Sequence, residues 1–404
     1  MDLSVTDTLT GRRQVVPHRR GRPVAMYVCG PTVYDSAHVG HARTYLYFDL
    51  ARRFLETEGQ PVRHVMNITD FEDKVDARAA QLGIGWRALA RREERAFLQD
   101  LAALGIRRPH AIPRASDFVP SMIRVVQRLE RTGRVAREGD EWIYTPPIRR
   151  PGANFPTDRQ LAAHAVAEPG HPFPARPDRS GAFMIWRRQD RPKASWPSPW
   201  GPGIPGWHLE CYTMATRYLG LPVDLHGGGL DLIFPHHYAE NEIALALDRT
   251  RFSRTFLHTA FVLADGRKMS KSIGNLVTIR SVLRDTEPSA LRWYLLSEPL
   301  ERRLGWDPDD LGRCAEEYRH VRASVRERLA GGGAAGEGLR AERLAEHVRR
   351  DLADGLASDR ALVRLHEWCD EEEGRSSARM GAAERMRARR AFRAIELRTG
   401  LALL

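Results

Sequence analysis

Short apolar runs alternate with longer segments of helical period along the first part of the chain. Residues 24–30 (VAMYVCG) read as a buried strand ending in a glycine. Residues 41–58 (HARTYLYFDLARRFLETE) read as an amphipathic helix with Tyr45, Phe48, Leu50 and Phe54 among its apolar positions. Residues 61–68 (PVRHVMNI) form the next strand, and strand–helix–strand predicts a parallel sheet. Helical period then dominates to about residue 135. The pattern breaks over residues 146–205, which hold 13 of the chain's 25 prolines and predict an irregular insertion with few long helices. The sheet resumes over 207–265, with a helix over 207–219, a strand over 222–226, a GGG turn, a helix over 236–247 and a strand over 257–263. From about residue 307 the chain is helical and charge-rich, with a flexible break at 330–338 (AGGGAAGEG) and a locally basic last helix over 384–398.

Length and composition narrow the classes. A chain of 404 residues suggests two or three domains and a core that needs no disulfide staples. Hydrophobic residues make up 42%, which argues against wholesale disorder. No run of about eighteen apolar residues predicts a membrane span, and the first twenty residues lack a signal-peptide core, so the expected compartment is the cytoplasm. The net charge of +11 favours a polyanion or a phosphate-rich substrate. Arginines number 59 against four lysines, a skew that a GC-rich genome also produces. The charge lies before residue 307, because the remainder carries 19 acids and 19 arginines. It therefore fits a phosphate-binding body better than a basic C-terminal arm. Four cysteines form no disulfide framework.

Three constellations carry chemistry. His38-Val39-Gly40-His41 falls between the first strand and its helix, where helix N–H groups and dipole favour phosphate. Two histidines there can donate to triphosphate oxygens, and Gly40 permits close approach of an adenine; a histidine pair at a helix start is also a common structural device. Lys268-Met269-Ser270-Lys271-Ser272 holds half of the chain's lysines and two hydroxyls, suited to a departing pyrophosphate; the plain alternative is an exposed basic loop. Cys29, Cys211, His236 and Glu240 form the third set. His236 and Glu240 are spaced i, i+4 on one helix face, and thiolate, imidazole and carboxylate suit Zn²⁺. Buried free cysteine is equally familiar as core filler.

Together these residues make the chain resemble cysteinyl-tRNA synthetases, class I aminoacyl-tRNA synthetases. The matching segments are MYVCGPTVYDSAHVGHART (26–44), NITDFEDK (67–74), WPSPWGPGIPGWHLEC (196–211), DLHGGGLDLIFPHH (224–237) and GRKMSKSIGN (266–275), in order from about residue 4 to 306. The resemblance implies an α/β architecture: a Rossmann-like catalytic domain in two halves, 1–116 and 206–306, an insertion over 117–205, and a helical bundle over 307–404. It implies that His38, Gly40 and His41 contact ATP, and that Lys268, Ser270 and Lys271 hold its phosphates, with His38, His41, Lys268 and Lys271 catalytic. Cys29, Cys211, His236 and Glu240 would bind one Zn²⁺ per chain. Thr69, Trp207 and Asp231 would hold the substrate L-cysteine, with Asp231 facing its ammonium. ATP, with Mg²⁺, would be converted to AMP and pyrophosphate by way of cysteinyl-adenylate, and cysteine passed to the acceptor stem of tRNA-Cys by a monomeric ligase.

Two departures from the family pattern bear on this expectation. The segment after the histidines reads YAENEIALAL, so an ungapped alignment gives Glu240 as the ligand, whereas matching ENEIA would give Glu242. Six residues from His236, Glu242 belongs to another helix face, which favours Glu240. The chain also reaches RTGLALL without a recognisable anticodon-binding segment. That leaves open ligation of activated cysteine to a small amine, such as a mycothiol-type amino-sugar, or to a carrier. A non-catalytic paralogue that binds nucleotide or tRNA is the remaining class.

Overall fold

The computed structural model describes residues 1–17, 21–147, 181–190, 193–269, 274–370 and 378–404. A hairpin of β1 (Ser4–Asp7) and β2 (Arg12–Val15) comes first. The expected strand–helix–strand unit follows as β3 (Val24–Val28), α1 (Val39–Thr57) and β4 (Val62–Met66). β3 and β4 are parallel, with Val24 opposite Val62 and Val28 opposite Met66. Helices α2 (Asp73–Gln81), α3 (Trp86–Ala103) and α4 (Val119–Glu130) lie next in the chain.

A separate antiparallel sheet follows: β5 (Val135–Glu138), β6 (Glu141–Tyr144), β7 (Phe183–Arg188) and β8 (Gly203–Pro205), paired in that order. The proline-rich stretch is therefore less irregular than its composition predicts. Aromatic and branched residues of Phe183–Arg188 pair with Glu141–Tyr144, and Pro205 stands at the end of its strand. Much of the expected insertion, residues 148–180 and 191–192, lies outside the described residues.

Helix α5 (Trp207–Leu219), strand β9 (Val223–Gly229), helix α6 (Tyr238–Asp248) and strand β10 (Ser253–Thr259) return the chain to the first sheet. Its order is β10-β9-β3-β4 and every pair is parallel. The strand order reverses between β3 and β9, the switch point at whose carboxyl ends parallel sheets bind ligands. Cys29 and Gly229 stand at those ends.

The GGG segment is not the turn its composition predicts; Gly227, Gly228 and Gly229 continue β9. A Cβ on Gly227 would lie 1.8 Å from the Leu257 carbonyl oxygen and 2.6 Å from Phe48. The missing side chain lets α1 pack directly on the strand. The strand expected over 257–263 is likewise two strands. β10 ends at Thr259, and β11 (Val262–Ala264) turns into a small sheet with β12 (Arg267–Lys268) and β13 (Leu304–Gly305).

Short α7 (Ile279–Val282) and α8 (Pro288–Leu295) lead to four longer helices, α9 (Pro308–Glu327), α10 (Glu337–Ala353), α11 (Ser358–Asp370) and α12 (Ala382–Thr399). α12 packs on α10 and on α1. The break expected at 330–338 is a hydrogen-bonded corner: the N–H of Gly333 donates to Arg328 O at 3.2 Å and that of Ala335 to Ala378 O at 2.8 Å. Gly331 turns it at φ 128°, a conformation open to glycine. Among the described residues, no helix is long and apolar enough to cross a membrane.

Candidate active site and metal centre

His38 caps the N-terminus of α1. Its Nδ1 accepts from the Gly40 N–H at 3.1 Å, and Nδ1 of His41 accepts from the His38 N–H at 3.3 Å. Both rings thus use Nδ1 as an acceptor, so each neutral ring carries its proton on Nε2. Burial pushes His38 down to about 2, helped by His41 and Lys268. Burial also pushes His41 down to about 4, against the pull of Asp231 and with the push of Lys268. The ring centroids are 3.9 Å apart with the planes tilted by 37°, a proximity suited to neutral imidazoles. The first turn of α1 contains no acid, so no carboxylate there offsets the positive end of the helix dipole. A Cβ at Gly40 would lie 2.9 Å from the His38 ring, so glycine is required by the cap itself.

The segment bearing Lys268 is fastened beside this cap. β12 pairs with β11, Lys268 opposite Leu263. On the far side His38 bridges to Thr278, the Val39 N–H donates to Val277 O at 2.9 Å, and the Ile279 N–H donates to Ala37 O at 3.1 Å. Ser270 and Lys271 lie outside the described residues. Lys268 Nζ sits 3.2 Å from Asp231 Oδ2 and 4.4 Å from the Phe261 ring centroid. Asp231 belongs to the short turn Leu230–Leu232. A Cβ on Gly229 would meet its Oδ1 at 2.6 Å, so the end of β9 must be glycine for this carboxylate to fold back over it.

Cys29, Cys211, His236 and Glu240 converge, their ligand atoms all within 4.8 Å of one another. The sulfurs are 3.6 Å apart, and Cys29 Sγ is 3.8 Å from Glu240 Oε1. His236 Nε2 lies 3.4 Å from Cys211 Sγ and 3.0 Å from Glu240 Oε1. A tetrahedral zinc with Zn–S of about 2.3 Å and Zn–N of about 2.0 Å has edges of about 3.8 Å between sulfurs and about 3.5 Å between sulfur and nitrogen. The donor set therefore has the chemistry and the spacing of a zinc site. His236 precedes α6, in Ile233–His237, and its Nδ1 is held 3.1 Å from His208 Nδ1. Glu242, the other candidate carboxylate, is not in the cluster.

Charge in the cluster is strongly coupled. Burial raises the Cys211 thiol, but its bond with Cys29 and the His236 charge bring it down to about 7. Burial and Cys211 hold the Cys29 thiol well above its usual value. Against burial, His236 and His226 hold Glu240 at about 2, while Glu240 and Cys211 lift His236 to about 10.

The sequence reading did not anticipate a second layer of histidines beneath the cluster. His226 Nε2 lies 2.8 Å from Glu240 Oε2, and its Nδ1 is 2.9 Å from Tyr27 O. His237 Nε2 lies 3.3 Å from Cys29 Sγ, and its Nδ1 is 2.7 Å from His258 Nε2. With Cys29 and Glu240, His226 and His237 make an overlapping set of ligand atoms. Both sets are buried, and the ring of half-buried Trp207 stacks on His236 at 4.0 Å. The segments DLHGGG and FPHH contain these residues, and the fold brings both overlapping sets to the same place.

Thr69 and Trp207 take up places beside the cluster. The Thr69 hydroxyl donates to Glu210 Oε2 at 2.7 Å and accepts from Asn67 Nδ2 at 3.2 Å. Asn67 Oδ1 accepts from the Gly30 N–H at 2.8 Å and lies 3.5 Å from Cys211 Sγ. Neither Asn67 nor Glu210 is among the sequence candidates, although Asn67 lies two residues before Thr69 and Glu210 adjoins Cys211.

Comparison with known proteins gives the family and the fold. The family model described as "tRNA synthetases class I (C) catalytic domain" matches residues 15–316. A cysteine--tRNA ligase of Thermococcus onnurineus is 42% identical over 320 residues, covering 77% of this chain and 65% of that protein. A cysteine--tRNA ligase of Aeropyrum pernix is 36% identical over 386 residues, covering 91% of this chain and 79% of that protein. The chain thus spans slightly less than two thirds of the Thermococcus relative. Mycobacterium tuberculosis methionyl-tRNA synthetase in complex with methionyl-adenylate superposes with a TM-score of 0.64 at 18% identity, covering 93% of this chain and 90% of that one. An Agrobacterium radiobacter LeuRS in a ternary complex gives 0.67 at 12% identity, covering 94% and 84%. These two share the fold. With the family model across most of its length and relatives of this identity, the chain belongs to the cysteinyl-tRNA synthetase family of class I synthetases.

Proposed function

We propose that this protein activates L-cysteine with ATP, releases pyrophosphate, and transfers cysteine from the adenylate to tRNA-Cys. The observation that carries this reading is the convergence of Cys29, Cys211, His236 and Glu240 at zinc spacing, beside a helix cap bearing His38 and His41. A bound Zn²⁺ supplies a soft site that takes a thiolate in preference to a hydroxyl, which separates cysteine from serine.

The chain's own residues supply the rest. Trp207 walls the pocket against His236. Asp231 takes the substrate ammonium, and the Thr69 hydroxyl lies across the strand ends from it. The carboxylate of cysteine attacks the α-phosphorus of ATP, a new C–O–P linkage forms, and the bond to the β-phosphate breaks. His38 and His41, neutral and protonated on Nε2, donate to phosphate oxygens without needing to titrate. Lys268, with Ser270 and Lys271 of the same segment, meets the charge that builds on pyrophosphate as it leaves, and Mg²⁺ accompanies the nucleotide. A hydroxyl of the acceptor then attacks the acyl carbon, and AMP departs.

Cysteine-dependent exchange of pyrophosphate into ATP tests the first step, and charging of tRNA-Cys tests the second. Absence of exchange overturns the whole reading. Exchange without charging overturns the acceptor and points to a small amine or a carrier.

A further inference from the structure

The side chain of Arg43 is fully buried, and each of its N–H groups meets a main-chain carbonyl. Nε donates to Leu295 O at 3.3 Å. Nη1 donates to Ala260 O at 3.1 Å and Arg302 O at 2.7 Å; Nη2 donates to Glu298 O at 3.2 Å and Pro299 O at 2.8 Å. Five donors and five acceptors exhaust the guanidinium. Burial works against the charge, yet a guanidinium remains ionised. Its cost is offset by carbonyl dipoles, with no carboxylate oxygen hydrogen-bonded to it among the described residues. A cation kept in such a place is an expensive way to hold the core.

Its position suggests what it holds. Arg43 is two residues after His41 on α1. Ala260 links β10 to β11, and β11 carries the Lys268 strand on its edge. Leu295 ends α8, and residues 298–302 lead to β13, which pairs with the other edge of β11. Neighbouring side chains on α1 grip the same region. The Thr44 hydroxyl is 2.7 Å from that of Thr259, and the Tyr47 hydroxyl donates to Glu298 O at 2.5 Å. The segment bearing Lys268 is therefore tied to α1 at both ends, by Arg43 on Ala260 before it and by the His38–Thr278 bridge after it.

We propose that Arg43 is a positioning residue that sets Lys268 against His38 and His41 for the phosphate-transfer step. The inference rests on the assignment of these residues to ATP made above. Misplacement of a charge by about 1 Å is enough to cost about a hundredfold in rate.

The test uses the full chain and cysteine-dependent pyrophosphate exchange, with zinc content measured alongside. Arg43→Met, which keeps length and loses the donors, is expected to lower kcat about a hundredfold and raise the KM for ATP. The KM for cysteine and the zinc content should stay within about twofold. A lower melting temperature with unchanged kcat per folded molecule overturns the proposal. Arg43→Lys, which keeps the charge and some of the bonds, guards against loss of folding and is carried into a cycle with Lys268→Ala. If Arg43 acts through Lys268, the double variant is no slower than Lys268→Ala alone; additive losses overturn the proposal. Failure of the wild-type protein to catalyse exchange would instead sink the proposed function, so the two failures are distinct.

Discussion

Asp231 Oδ2 lies 3.2 Å from Lys268 Nζ, joining a carboxylate assigned to the substrate ammonium with a lysine assigned to phosphate. Each partner is about one third exposed, so the pair contributes little to stability and separates readily. On the proposed function, cysteine and Lys268 would compete for one carboxylate, and cysteine binding would free Lys268 for the nucleotide. Cysteine is expected to tighten binding of a non-hydrolysable ATP analogue about fivefold or more, within the usual range of coupling between sites. Asp231→Asn should abolish the coupling and raise the KM for cysteine. Calorimetric titration of the analogue with and without cysteine checks this; equal affinities would contradict it.

Removing one thiolate should dismantle the metal centre. Cys211→Ser replaces a soft ligand with a hydroxyl that does not ionise at neutral pH. Zinc content measured by elemental analysis is expected to fall, and cysteine-dependent exchange with it. Chelation of the wild-type protein should give the same loss, reversed by added zinc. Full exchange activity in zinc-free protein would exclude the assigned role.

The two histidines of the helix cap should act without titrating. Burial holds them at about 2 and about 4, so both are neutral across pH 5–8 and their Nε2–H donors persist. His41→Ala is expected to lower kcat by about 10²–10³, the cost of removing one transition-state donor. The variant and wild-type rate profiles should run parallel over that pH range. A wild-type ionisation lost in His41→Ala would show that the ring titrates during turnover.

His64 offers a test of stability distant from the chemistry. Its ring is buried with neither nitrogen hydrogen-bonded among the described residues, and burial with the nearby Arg52 charge pushes it down to about 3. Because the folded value lies below the unfolded one, the unfolded chain binds the extra proton. Stability is therefore full above about pH 6.5 and falls as pH drops from there towards 3. His64→Phe removes this proton uptake. Relative to wild type, the variant should gain about 2 kcal/mol between pH 8 and pH 5. Urea unfolding at the two pH values measures it, and a pH-independent difference would show that the His64 ring titrates in the fold as it does in the unfolded chain.

Much of the site was legible because its residues stand at ends of strongly patterned elements. The run VAMYV predicts β3, which fixes Cys29 at a strand end, and the helical period after it places His38 and His41 at a cap. The i, i+4 spacing of His236 and Glu240 survives even though His236 precedes the helix proper. What escaped depends on partners distant in sequence. Glycine in Gly227–Gly229 signals a turn by local preference, whereas packing of Phe48 against Gly227 makes that stretch a strand. His226 and His237 look like core residues until the fold sets them under Glu240 and Cys29. Arg43 looks like a solvated helix position, since its acceptors are at least 217 residues away.

That separation bears on how the protein is made. A chain emerging from the ribosome N-terminus first completes α1 long before Ala260 and Arg302 exist. Until they arrive, burying Arg43 would strand five N–H groups without acceptors. The Arg43 guanidinium is therefore fully satisfied only when every residue from Ala260 to Arg302 is present, which makes this helix anchor a property of the long chain and not of its first half.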